Sequence, residues 1–170
     1  MSDSSLKNFD LAATVRQMSL ETETSFAIRM ASITEDWLQY AIKAKMRHLT
    51  KTQEDRIFSG YGPISSFRAK IDVGYALGIF DITTMNDLNA IREIRNKFAH
   101  SREIIHFRSK ELDSLFQKMA GWTPEVDRQN LLVNRIADVV KICKEHIERR
   151  ALADAVRHHS RKIQTESEKY

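Results

Sequence analysis

Apolar residues recur at three- and four-residue steps along most of the chain, which is the spacing of one helix face. From about Leu20 to His48 the stripe is Phe26, Met30, Ile33, Trp37, Ala41 and Ala44, with Glu35, Lys43 and Lys45 assigned to the other side. Residues 1–18 are less regular and are expected to form an N-terminal arm or a short helix. Ser59-Gly60-Tyr61-Gly62-Pro63 is a breaker. A second helix is expected directly after it, with Ile64, Phe67, Ile71, Tyr75 and Gly78 on one face. Gly74 and Gly78 each weaken a helix by about 1 kcal/mol relative to alanine. At i, i+4 they either admit a close neighbour or mark the helix end.

Thr84 and Asp87 resemble a capping box opening a third helix, whose stripe is Met85, Leu88, Ile91, Ile94 and Phe98 and whose end falls near His100-Ser101. Residues 102–107 suit a short strand or an irregular link. Ser109 is the expected cap of a short helix carrying Leu112, Leu115, Phe116 and Met119, closed by Gly121. Thr123-Pro124-Glu125 has the order cap, proline, acid that opens a helix. The long helix expected there has the stripe Leu132, Ile136, Val139, Cys143 and Ile147. Beyond Arg150 the stripe thins, and a frayed tail is expected over 161–170. These elements predict an all-α, single-domain helical bundle of four to five main helices, its body spanning 19–160.

Composition narrows the class. At 170 residues, 42% hydrophobic and 29% charged, the chain holds one domain with a substantial core. Its 2 prolines and 5 glycines are too few for a turn-rich sandwich or for disorder. The formal net charge of +4 comes from well-mixed charges, too small an excess to indicate nucleic-acid binding by itself. The N-terminus has no signal-peptide pattern and no apolar run approaches about 18 residues, so a soluble cytoplasmic protein without membrane contact is expected.

Cys143 is the lone cysteine, which excludes an internal disulfide, and its stripe position predicts a small buried hydrophobe rather than a nucleophile. The histidines show no metal-binding spacing, and His158 and His159 leave a helix about 100° apart, as solvated surface residues would. Gly60-Tyr61-Gly62 lacks the Gly-Lys-Ser/Thr of a phosphate loop and is expected to be a turn. No cofactor is expected.

The most informative stretch is Ile91-Arg92-Glu93-Ile94-Arg95-Asn96-Lys97-Phe98-Ala99-His100. It sets a permanent cation, an amide and a titratable imidazole at one helix end. Asn96 and His100 share a face, whereas Arg95 and His100 are about 140° apart on a regular helix. Arginine suits phosphate and histidine suits proton transfer near neutral pH. The competing expectation is architectural: His100 interacts with the helix C-terminus, and Arg92 and Arg95 pair with Glu93, Asp72 or Glu35. Glu35-Asp36 is either exposed helix charge or a buried partner of Lys70, Arg92 or Arg95.

Taken together, residues 59–72 (SGYGPISSFRAKID), Tyr75-Ala76-Leu77-Gly78 and residues 91–101 (IREIRNKFAHS) resemble the mannitol operon repressor family. The resemblance is strongest over residues 56–101 and looser at Asp36-Trp37-Leu38. It implies a helical cytoplasmic protein linked to transcriptional control of sugar-alcohol uptake. The helix after Asp81 carries core residues instead of a basic recognition surface, so direct base reading is not expected, and a protein partner is. The candidate binding residues are Asp36, Lys70, Asp72, Arg92, Arg95, Asn96 and His100. Arg95-Asn96-x-x-x-His100 also resembles the signature of HEPN-type helical domains, many of them metal-independent ribonucleases working as dimers. That resemblance implies Arg95 on the phosphate, Asn96 orienting it and His100 as acid or base, with RNA as ligand. A non-enzymatic regulator is the reading adopted, as a homodimer because two-fold pairs are the commonest assemblies.

Overall fold

The computed structural model describes residues 9–18 and 22–167 of the chain. They form an all-α domain, without a strand among the described residues. The helices are α1 (Leu11–Met18), α2 (Glu23–Lys45), α3 (Lys51–Phe58), α4 (Phe67–Ala76), α5 (Ile82–His100), α6 (Asp113–Phe116, preceded by a 3₁₀ turn at Lys110–Leu112) and α7 (Arg128–Ser167). The expected C-terminal tail is helical in its backbone to Ser167, and 168–170 lie outside the described residues, as do residues 1–8 of the N-terminal arm.

α2 is the central helix, packing against α7, α5 and α4. Its buried face is Phe26, Ala27, Met30, Ala31, Thr34, Trp37, Leu38, Ala41 and Ile42. The Thr34 hydroxyl is fully buried and donates to the Met30 carbonyl at 2.8 Å, which removes its desolvation cost. α5 buries Leu88, Ile91, Ile94 and Phe98, as its stripe predicts. α7 buries Leu132, Ile136, Val139 and Cys143, also as predicted.

α3 has no counterpart in the sequence expectations, because Lys51–Phe58 carries charges and hardly any apolar stripe. A capping box nucleates it: the Gln53 amide donates to Thr50 Oγ1, and the Thr50 amide donates to Gln53 Oε1. α4 starts at Phe67, after the Ser66 cap, and its inward face is Phe67, Lys70, Ile71 and Gly74. Tyr75, expected on that face, is exposed instead. Gly74 faces Phe80 and Leu38 so closely that a Cβ would lie 2.8 Å from the Phe80 ring. Gly78, at φ 63°, ends the helix. The two glycines therefore serve the two purposes separately.

The cap of α5 is Asp81, whose Oδ1 accepts from the Thr84 amide at 2.8 Å. Asp87 is not part of a capping box. It turns inward, accepting from the Ala120 amide at 2.9 Å with Arg135 at 3.9 Å, and burial holds its carboxyl above the usual range. Residues 102–107 form an irregular link, not a strand, and bury Ile105 and Phe107. Phe107 meets Phe26, Phe98 and Phe116 edge-on, with centroids 5.0–6.3 Å away. Arg128 holds this link in place by donating to the carbonyls of Phe107 and Ser109 and to Asp113. The Ser109 hydroxyl caps no helix and accepts from the His106 amide. α7 opens at Arg128 rather than Pro124, because Asp127 accepts from the Asn130 amide at 2.8 Å.

The turn between α3 and α4 is built on two glycines with different constraints. Gly60 sits at φ 56° with open space where a Cβ would go. A Cβ on Gly62 would collide with the carbonyl oxygens of Ile57 and Arg56. Gly60→Ala is therefore expected to cost about 1 kcal/mol through the left-handed backbone alone. Gly62→Ala, which forces backbone apart, is expected to cost about 3 kcal/mol. Urea denaturation of the two variants checks the order; equal costs would contradict it.

Candidate functional site

Three of the central helices meet at one carboxylate. Glu35 of α2 accepts from Lys70 Nζ of α4 at 2.7 Å, and its other oxygen lies 3.6 Å from Arg95 Nη2 of α5. The side chains are 17% (Glu35), 7% (Lys70) and 31% (Arg95) exposed, so Lys70 is nearly sealed from water. A lysine so buried requires a counter-charge, and Glu35 is its only ion-pair partner among the described residues. Lys70 reaches this position because it lies three residues after Phe67 and four before Gly74, on the inward face of α4.

Arg95 also donates through Nη1 to Asn96 Oδ1 at 3.2 Å. Its guanidinium is thus shared between a carboxylate and an amide of the protein. Arg92, one turn earlier, pairs with its neighbour Glu93 at 2.6 Å, and its buried Nε has no acceptor among the described residues. His100 is the last residue of α5, exposed and without a hydrogen bond or ion pair among the described residues.

The sequence-derived residues therefore separate. Lys70, Arg95 and Asn96 come together around Glu35. Arg92 sits beside them, paired along its own helix. Asp72 does not join: it is 55% exposed in its side chain and faces Arg68 at 3.9 Å, not Arg92 or Arg95. Asp36 is partly buried next to Glu35, with no hydrogen bond or ion pair among the described residues. Burial, helped by the Glu35 charge, lifts its carboxyl above the usual range, although Lys70 opposes this. Glu35 itself, placed by the stripe on the outer side of its helix but also offered as a buried partner of Lys70, Arg92 or Arg95, is the residue that organises the cluster, with Lys70 and Arg95 as its partners. The signal for it was Lys70: a cation at an inward position demands an acid opposite.

Other candidate chemistry is absent from this region. Burial pushes the Cys143 thiol up to about 12, which leaves it neutral and unreactive at physiological pH. Among the described residues no group of three or more His, Cys, Asp or Glu side chains is arranged to hold a metal ion. His158 and His159 are exposed. Among the described residues no helix is long and apolar enough to cross a membrane. No family model, no curated protein and no solved structure matches the chain.

Two outcomes follow from this geometry. Arg95→Ala removes one of the two cations on Glu35 and is expected to cost about 1 kcal/mol, a fall in Tm of roughly 2–4 °C at this chain length. An unchanged Tm would show that Arg95 has no architectural role. The Asp36 carboxyl, raised in the folded state, is charged at neutral pH at a cost to stability that disappears as pH falls into the ordinary carboxylate range. Asp36→Asn is therefore expected to raise Tm at pH 7 and to lose that advantage near pH 4. Scanning calorimetry at both pH values measures it, and a destabilised variant at pH 7 would contradict it.

Proposed function

We propose that this chain is a regulator of the mannitol operon repressor type, controlling carbohydrate or sugar-alcohol uptake genes mainly through contacts with another protein. The observation that carries this reading is Tyr61. It is fully exposed at the tip of a turn inside the glycine-rich block on which the resemblance rests. That turn is held by three hydrogen bonds: from the Gly62 amide to Ser59, from the Ile64 amide to Ile57 and from the Ser65 amide to Gly62. A large aromatic presented on fixed backbone loses little conformational freedom on binding, which is why tyrosine dominates many interface centres.

Two further features support contact over base reading or catalysis. α5, which follows the turn at Asp81, gives its Leu88-Ile91-Ile94-Phe98 face to the core, which favours a packing role over that of a recognition helix. Arg95 is committed to Glu35 and Asn96. A homodimer, the commonest closed assembly, belongs to this reading.

A HEPN-type ribonuclease or RNA-binding module is the second reading, and His100 is what favours it: exposed, unpaired and one turn from Asn96. The discriminating experiment incubates the wild type and His100→Ala with end-labelled single-stranded RNA in the presence of a chelator. The expected result is intact RNA with both proteins. Cleavage by the wild type alone would replace the regulator with a nuclease. In parallel, Tyr61→Ala is expected to keep its Tm and lose a partner that the wild type retains in pull-downs. Equal retention would count against Tyr61 as the anchor.

A further inference from the structure

α7 carries two apolar stripes, and they lie on opposite faces. Its first half buries Leu132, Ile136, Val139 and Cys143, with Ile147 packed against the core beside them. At about 100° per residue, all of these positions fall within about 40° of Cys143 around the helix. Past Ile147 the same line continues as Arg150, Asp154 and Arg157. The large apolar residues there are Leu152 and Val156, which sit about 180° and about 140° from Cys143. They stand 67% and 58% exposed. The helix thus exchanges its polar and apolar faces near Arg150, while its backbone runs on unbroken from Arg128 to Ser167.

The exchange falls where α7 leaves the bundle. Arg150 donates to the Met46 carbonyl at 2.9 Å, and Asp154 lies 3.6 Å from His48, which fastens this turn to the link after α2. Of residues 151–160, every one but Asp154 is exposed. Roughly 25 Å of helix runs on from Arg150 to Ser167, a length that is marginal when it stands alone in water. Charge narrows what covers the outer stripe. Between Asp154 and Glu166 the sequence holds Arg157, His158, His159, Arg161 and Lys162 and no acid. On the outer face before Leu152 stand Glu145 and Glu148, paired at exposed positions with Arg149 at 3.3 Å and Lys144 at 4.0 Å. Acids therefore precede the stripe and a basic run follows it. Ala155 and Ser160 beside it are small enough for another helix to approach closely.

We infer that the outer stripe is the seam of an antiparallel helix pair formed with a second copy of this chain. With the two-fold axis beside position 154, Leu152 of each copy packs on Val156 of the other. Antiparallel order sets the basic run of each copy along the Glu145 and Glu148 end of the other, whereas parallel order sets two basic runs side by side. Because the stripe faces away from the bundle, the two bundles lie on opposite sides of the pair and do not collide. The inference deepens the dimeric part of the regulatory reading and rests on no other part of it.

The test follows the full chain by sedimentation equilibrium. The expected result is a reversible monomer–dimer equilibrium with a dissociation constant on the order of 10 µM, since so short a seam makes a small interface. The double variant Leu152→Gln, Val156→Gln is expected to weaken it at least about tenfold. The monomer's Tm should not change, because both side chains are exposed. Ile104→Gln, at an exposed apolar residue elsewhere, should leave the equilibrium unaltered. Orientation is read from spin labels on cysteines introduced singly at Ala155 or Lys141, Cys143 being buried. The antiparallel pair sets the Lys141→Cys labels about 40 Å apart and the Ala155→Cys labels within about 20 Å. A monomer at concentrations about tenfold above that constant overturns the inference, in favour of a different protein on the stripe. So does a dimer that survives the double variant, which uses another face. So does one whose Lys141→Cys labels lie as close as its Ala155→Cys labels, which is parallel. Partner capture through Tyr61 and RNA cleavage are read in separate assays, so a failure of the dimer is distinguishable from a failure of the regulatory reading.

Discussion

The arrangement of α2, α4 and α5 depends on one requirement: the ammonium of Lys70 must be neutralised where water barely reaches it. The partial exposure of Glu35 and Arg95 lets water share the burden on one side, so the cluster sits at the boundary of the core and not in its middle. A pair in this position contributes little when intact, because desolvation offsets attraction, yet removing one partner is costly. Its effect is therefore on geometry. It fixes the rotation of α4 so that Phe67, Ile71 and Gly74 face α2, and it fixes the direction of Arg95 at the end of α5.

That geometry bears directly on the reading of Arg95-Asn96-x-x-x-His100. An arginine that carries phosphate chemistry must be free to fork around the phosphate oxygens. Here the guanidinium donates to Asn96 and lies 3.6 Å from Glu35, and His100 is exposed one turn beyond Asn96. The same sequence element thus serves the bundle first. In the proposed reading, recognition falls to the exposed Tyr61 turn.

The all-α architecture and the stripes of α5 and α7 were legible because apolar periodicity reports burial directly, down to Cys143 as a core residue. What the stripes could not carry was burial of polar groups. For Glu35 the sequence left exposed charge and burial against Lys70 or an arginine both open, and Asp87 read as a capping residue; three-dimensional pairing decides that Glu35 faces Lys70 and Arg95 and that Asp87 accepts from the Ala120 amide. α3 was hidden for the opposite reason: a polar helix has no stripe, and its Thr50–Gln53 capping box was the available signal. At the start of α7, Thr123-Pro124 offered a plausible cap, but Asp127 is the stronger one and Arg128 is anchored to the aromatic link. The candidate site was legible as a set of residue types. The angular separation of Arg95 from His100 was legible too; that Asp72 stands apart from the Glu35 cluster was not, because the rotation of α4 decides it.

The most direct measurement is a double-mutant cycle in urea denaturation across Glu35 and Lys70, using Glu35→Leu, Lys70→Met and the pair together. Glu35→Leu should cost about 3 kcal/mol or more by stranding the lysine, and adding Lys70→Met should recover a large part of that loss. Costs that simply add would show that the two charges do not depend on each other, and that something else sets the rotation of α4.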